Sequence, residues 1–142
     1  MGLDSGGYEE IEHTADIGLR VWAEDLPGVF ERAAEGFIGL LLDPETVEPE
    51  RTVQISADGA DAEELLVGWL EDILFAFDAR RFAPAGAEVT SFSETEMTGR
   101  LAGQGFDPDR HETRNAIKAV TYHDLKIEKS DRGYEVRIFF DV

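Results

Sequence analysis

The sequence predicts an α+β domain, with two amphipathic helices packed on a mostly antiparallel β-sheet or sandwich. Three observations carry that prediction. Two segments, at 25–42 and 61–77, repeat apolar residues at helical spacing. Six or seven others alternate apolar and polar residues, the pattern of a half-buried strand. The two kinds of segment do not alternate regularly, which argues for antiparallel pairing over a series of βαβ crossovers.

Residues 1–7 are expected to form a flexible tail, and 8–142 a single domain. "YEEIEH" at 8–13 is weakly strand-like, and "IGLRVWAE" at 17–24 is clearer, with Ile17, Leu19 and Val21 on one face. Asp25, Leu26 and Pro27 mark a helix start, with proline in the first turn. The stripe Val29, Phe30, Ala33, Ala34, Phe37, Ile38 and Leu41 follows, and Asp43-Pro44 stops it. "RTVQISA" at 51–57 alternates as a strand and ends at Asp58-Gly59. Asp61 and Glu64 form a capping box for a second helix, whose stripe is Leu65, Leu66, Trp69, Leu70, Ile73, Leu74 and Phe77. Trp69, Phe75, Phe77 and Phe82 are expected in the core. Beyond Gly86 the pattern predicts strands at about 87–93, 95–103, 116–129 and 133–141, the last two joined by a tight turn at Asp131, Arg132 and Gly133.

A chain of 142 residues that is 42% hydrophobic can bury one sizeable core. Its 31 acidic residues against 13 basic give a formal charge of −18, which repels phosphate backbones and attracts cations and basic proteins. Direct nucleic-acid binding is therefore not expected. With no cysteine, disulfides and thiolate metal sites are excluded. The apolar run "FIGLLL" at 37–42 is far too short to span a bilayer. "MGLDSGG" has neither the basic start nor the apolar stretch of a signal peptide, and Gly6 stands where N-myristoylation wants Ser or Thr. A cytoplasmic protein is expected, without membrane association.

No phosphate-binding glycine loop is present, and Ser56, Ser91 and Ser93 lack a neighbouring base. His13, His111 and His123 all stand beside polar or acidic residues. With Asp16 they suggest one enzymatic reading, a metal-dependent phosphodiesterase or phosphatase. Against it, no pair of histidines sits at ligand spacing on one element. The carboxylates are more suggestive. Asp16 interrupts a strand where the core pattern would accept an apolar residue, and Asp141 follows "IFF" just before Val142. If the first and last strands are neighbours, these aspartates converge, and two close carboxylates need a proton or cation between them. Oxygen-only ligation, completed by backbone carbonyls or the carboxylate of Val142, suits a hard cation such as Ca²⁺ or Mg²⁺. The plainer alternative is two exposed aspartates at strand ends.

Four stretches in this order, "EHTADIG", "WLEDILF", "RHETRNAIKAVTYHDLKI" and "FFDV", resemble the archease family from about residue 8 to 142. The resemblance implies a small α+β sandwich that acts as a cofactor-like protein, not an enzyme. Archeases activate the RtcB-type tRNA-splicing RNA ligase, which joins RNA ends with GTP and Mn²⁺. They promote guanylylation of the ligase's histidine, permit multiple turnover and broaden nucleotide use. Carried onto this chain, the family's divalent-metal site implies Asp16, Asp141 and Val142 as ligands, with Ca²⁺ the expected ion and Mg²⁺ or Mn²⁺ the alternatives. Gly18 would then let backbone pass close by. His13, Arg110, His111, Lys118 and His123 are expected to flank the site. Gln104 and Glu71 depart from the family pattern, which favours Glu at the first and Asn or Ser at the second. A general chaperone or calcium-dependent interaction module is the rival from another class.

Overall fold

The computed structural model describes residues 6–12 and 16–142. Two helices, α1 (Leu26–Leu41) and α2 (Ala62–Asp78), lie between two antiparallel sheets. The larger sheet contains β1 (Gly7–Glu12), β2 (Ile17–Ala23), β6 (Ala119–Val120), β7 (Glu128–Ser130) and β8 (Gly133–Asp141). Its order is β1-β2-β8-β6, with β7 also on β8. The smaller contains β3 (Arg51–Asp58), β4 (Phe82–Phe92) and β5 (Glu96–Gly105), in the order β3-β5-β4. The predicted α+β class and antiparallel pairing are thus observed. β1 opens at Gly7, one residue inside the expected tail.

Local chemistry sets the helix ends. Asp25 caps α1 by accepting from Gly28 N at 2.8 Å, and Pro27 occupies the first turn, where no donor is lost. After Leu42, a short 3₁₀ turn at Pro44–Thr46 is capped by Asp43, which accepts from Glu45 N at 3.0 Å. Asp61 caps α2 through Glu64 N at 2.8 Å, while Glu64 reaches back to Ala60 N at 3.2 Å. The reciprocal arm of the capping box therefore lands one residue earlier than the simplest form of the motif.

α1 packs on β2 and β8 of one sheet and on β4 of the other; α2 packs on β3, β4 and β6. One continuous apolar core results. Trp69 sits fully buried in it and donates its indole N–H to the Phe30 carbonyl at 2.9 Å, joining the helices.

Three expectations need correction. Phe75 is 55% exposed, because it lies outside the stripe that carries Trp69, Leu70, Ile73, Leu74 and Phe77. β4 begins at Phe82 instead of about 87, and a register shift between Pro84 and Gly86 hides its alternation. The segment 116–129 is not one strand. Only β6 and β7 pair with β8, and between them a turn brings Leu125 N to the Tyr122 carbonyl at 3.1 Å. The turn predicted at 131–133 is present, joining β7 to β8; Gly133 has φ +130°, and a Cβ there would stand 2.3 Å from the Ala23 carbonyl oxygen.

Candidate functional site

β2 and β8 are the central strands of the larger sheet and pair from Ile17↔Phe140 to Ala23↔Tyr134. Carried one residue past Ile17↔Phe140, that register sets Asp16 opposite Asp141. Alternation places both on one face. Leu19, Val21, Val136, Ile138 and Phe140 turn into the core, so Gly18, Arg20, Phe139 and Asp141 belong to the outer face, with Asp16 beside them. The strands that lead to the two aspartates are direct neighbours, which is the adjacency the sequence argument assumed.

The outer face also explains Gly18. A Cβ on it would stand 2.7 Å from the Phe139 ring, against 3.2 Å from the Ile138 carbonyl oxygen. A side-chain ring, more than passing backbone, requires the glycine. Phe139 is in turn 5.8 Å from the His123 ring, centroid to centroid, and its carbonyl accepts from Thr121 N at 2.9 Å and Thr121 Oγ1 at 3.0 Å. Sequence reasoning missed this Phe139–His123–Thr121 group. The signal was available in "VRIFFD", where alternation from Val136 assigns Phe139 to the side opposite Phe140.

Asp141 is held by its backbone: its carbonyl accepts from Lys118 N at 2.8 Å, and it pairs with Ala119. Its side chain is exposed, that of Asp16 is half-buried, and Val142 is 48% exposed. Among the described residues, no basic side chain lies within ion-pair distance of either aspartate. Arg20, further along the same face, is already engaged by Glu135 at 3.0 Å and Glu9 at 3.2 Å. The hydrogen bond to Glu135 is the main reason its guanidinium is raised above the usual value. The field around the neighbouring turn is also negative. Burial first, then Glu64, Glu71 and Asp61, raise the Tyr122 hydroxyl. Carboxylates left without an ion-paired basic side chain among the described residues have the charge that suits a hard cation.

Among the described residues, the histidines do not assemble into a metal-binding group. His111 is buried, with Nδ1 accepting from Asp107 N at 2.9 Å and Nε2 donating to Gln104 Oε1 at 2.8 Å. Both nitrogens are used, so His111 is a loop-closing residue and has none left for a metal. Gln104 is buried too and also accepts from Glu48 N at 2.9 Å, which removes it from any partner-facing surface. His123 is exposed, 3.2 Å from Asp124. Arg110, Lys118 and Glu71 are exposed, and His13 lies outside the described residues. No group of three His, Cys, Asp or Glu side chains suited to a metal occurs among the described residues. A cleft of about 500 Å³ lined by Arg20, Trp22, Arg132 and Tyr134 lies at the opposite end of the β2–β8 ladder. No helix among the described residues is long and apolar enough to cross a membrane.

Residues 8–142 match the model of the Archease protein family (MTH1598/TM1083). Protein archease of Methanopyrus kandleri is 41% identical over 138 residues, covering 95% of this chain and 99% of the relative. Protein archease of the zebrafish Danio rerio is 34% identical, covering 95% of this chain and 85% of that one. The solution structure of protein 1598 from Methanobacterium thermoautotrophicum superposes with a TM-score of 0.75 at 29% identity, covering 96% of this chain and 99% of that one. The Thermotoga maritima crystal structure described as "an archease, possible chaperone" shares the fold with a TM-score of 0.63 at 21% identity, covering 94% and 96%.

Proposed function

The chain belongs to the archease family, and from that premise we propose that it is a non-enzymatic activator of the GTP-dependent, RtcB-type tRNA-splicing RNA ligase. In this reading it presents a divalent-cation site formed by Asp16, Asp141 and the carboxylate of Val142. One observation supports it: the β2–β8 register, which, if carried one residue past Ile17↔Phe140, sets Asp16 opposite Asp141, with no basic side chain ion-paired to either among the described residues. Ca²⁺ is the ion we expect, with Mg²⁺ and Mn²⁺ as alternatives.

Each residue has a task in that scheme. Phe139 over Gly18 fixes the strands that carry the two aspartates, and the Lys118 amide holds the Asp141 carbonyl in place. A bound divalent ion supplies charge neutralisation and a Lewis-acidic centre. The acidic apex approaches the metal-bearing active site of the ligase and favours attack of the ligase histidine on the GTP α-phosphate, with pyrophosphate leaving. A charge of −18 steers the protein towards a basic RNA-binding enzyme and away from RNA itself.

The test is ligase guanylylation at limiting Mn²⁺ and GTP, with wild type, Asp16→Ala and Asp141→Ala. Stimulation by wild type, lost in both folded variants, supports the reading. Unchanged stimulation by Asp141→Ala overturns the metal site; no stimulation by wild type overturns the activator role. A second reading, general chaperone, is favoured by the description of the T. maritima relative. Suppression of aggregation for unrelated clients, without ligase stimulation, would select it. The phosphoesterase reading is disfavoured by the full engagement of His111.

A further inference from the structure

Sheet edges invite pairing with another strand unless something blocks them. Most edges of this protein are blocked. β4 carries Pro84 and two register shifts, and its Val89 N–H donates to the Glu31 carboxylate of α1 at 2.9 Å. β1 bears Glu9 and Glu10. β6 and β7 are two and three residues long, and the amide of Ile127 beside β7 donates to Glu63 of α2 at 3.0 Å.

β3 has none of these devices. Its eight residues pair with β5 without a register shift, and 52–57 contain no charge, proline or glycine. An antiparallel ladder engages the N–H and C=O of alternate residues only, so the rest project outward. Among the described residues, nothing but β5 is hydrogen bonded to β3 between 51 and 58.

A second feature adjoins this edge. A groove of about 150 Å³ is lined by Gln54, Ile55 and Ser56 of β3 and by Asp72, Phe75, Ala76 and Arg80 from α2 and the turn after it. Phe75 is the residue that left the core, and the Arg80 guanidinium stands 5.6 Å from its ring. The groove lies at the middle of the strand. Two copies pairing antiparallel about a two-fold axis normal to the sheet place that axis at or next to Gln54 or Ile55. A self-pairing that uses the whole strand, Arg51 opposite Asp58, therefore puts its dyad beside the groove.

We propose that β3 is a self-association edge. A second copy of this chain pairs with it antiparallel, joining two three-stranded sheets into one of six strands. The dyad brings together the Phe75 rings, buries them and sets Arg80 of one copy near Asp72 of the other. Antiparallel order also places the Arg51 end of each strand beside the Asp58 end of its mate. A basic partner strand gains little at an edge whose middle carries no carboxylate, which is why we assign it to a second copy.

The test is sedimentation equilibrium of the full chain, with hydrogen exchange at low and high concentration. Wild type is expected to dimerise, with those amides of 52–57 that are not bonded to β5 protected only when concentrated. Phe75→Glu and Gln54→Lys, both at exposed positions, should each weaken the dimer roughly tenfold or more, while Glu10→Lys on the β1 edge leaves it unchanged. Because like-charged copies repel, salt should tighten the dimer. A chain monomeric up to about 1 mM, a dimer indifferent to both β3 variants, or protection confined to other strands would overturn the proposal. So would association that occurs only with a partner protein and weakens in salt.

Discussion

The Phe139 ring occupies the space where a side chain on Gly18 would be, 2.7 Å from the position of its Cβ. These residues sit on adjacent strands, two places in from Asp16 and Asp141 respectively. Gly18→Ala must therefore displace a buried ring or part the two strands. We expect it to destabilise the fold by about 1–3 kcal/mol, the usual range for an overpacked site. Adding Phe139→Leu should recover part of that loss, a coupling visible as non-additive urea midpoints. Additive effects would show that ring and glycine do not interact.

Divalent-cation binding should depend on both aspartates and on an unextended chain end. Asp16→Asn and Asp141→Asn are each expected to weaken Ca²⁺ binding tenfold or more, about 1.4 kcal/mol or above, by calorimetry. Residues appended after Val142 should weaken it as well. An unchanged affinity in the extended chain would remove the Val142 carboxylate from the ligand set.

Much of this arrangement was legible in the sequence, because helical stripes, caps and strand alternation are local signals. Asp25 and Asp61 announced both helices, and "IGLRVWAE" and "VRIFFD" announced the two central strands. Convergence of Asp16 with Asp141 depended on which strands are neighbours, which no local pattern encodes. The division of 116–129 was hidden for a related reason: two short strands share one edge of β8, and the break between them is a turn at Tyr122–Leu125. Phe75 was misplaced because its aromatic character outweighed its angular position on α2. The role of His111 was equally unreadable, since its partners Gln104 and Asp107 meet it through a folded loop.

That loop makes the next prediction. Gln104 accepts two hydrogen bonds, from Glu48 N and His111 Nε2, in a buried position. Gln104→Leu leaves both donors unpaired and should destabilise by roughly 1–3 kcal/mol. Because the loop is not part of the proposed metal site, Ca²⁺ affinity of the folded variant should remain at the wild-type value. A large loss of affinity at unchanged stability would place Gln104 in the site after all.

Asp72 should give the chain a signed response to pH. Burial raises its carboxyl above the ordinary value, and Arg80 only partly offsets that. A carboxyl raised on folding favours the folded state while protonated. That contribution is complete below the unfolded-state pKa and is lost as pH rises through the folded-state value. At neutral pH the half-buried charge is therefore a liability. Asp72→Asn, which keeps the shape without the charge, is expected to raise the thermal midpoint at pH 7 in dilute protein. The gain should shrink as pH falls through the acidic range and vanish where Asp72 itself is protonated. Midpoints of both proteins across that range decide the matter. A gain that persists undiminished at the acidic end would show that the benefit of asparagine is not electrostatic, and a loss at pH 7 would show that the attraction of the Arg80 charge outweighs desolvation.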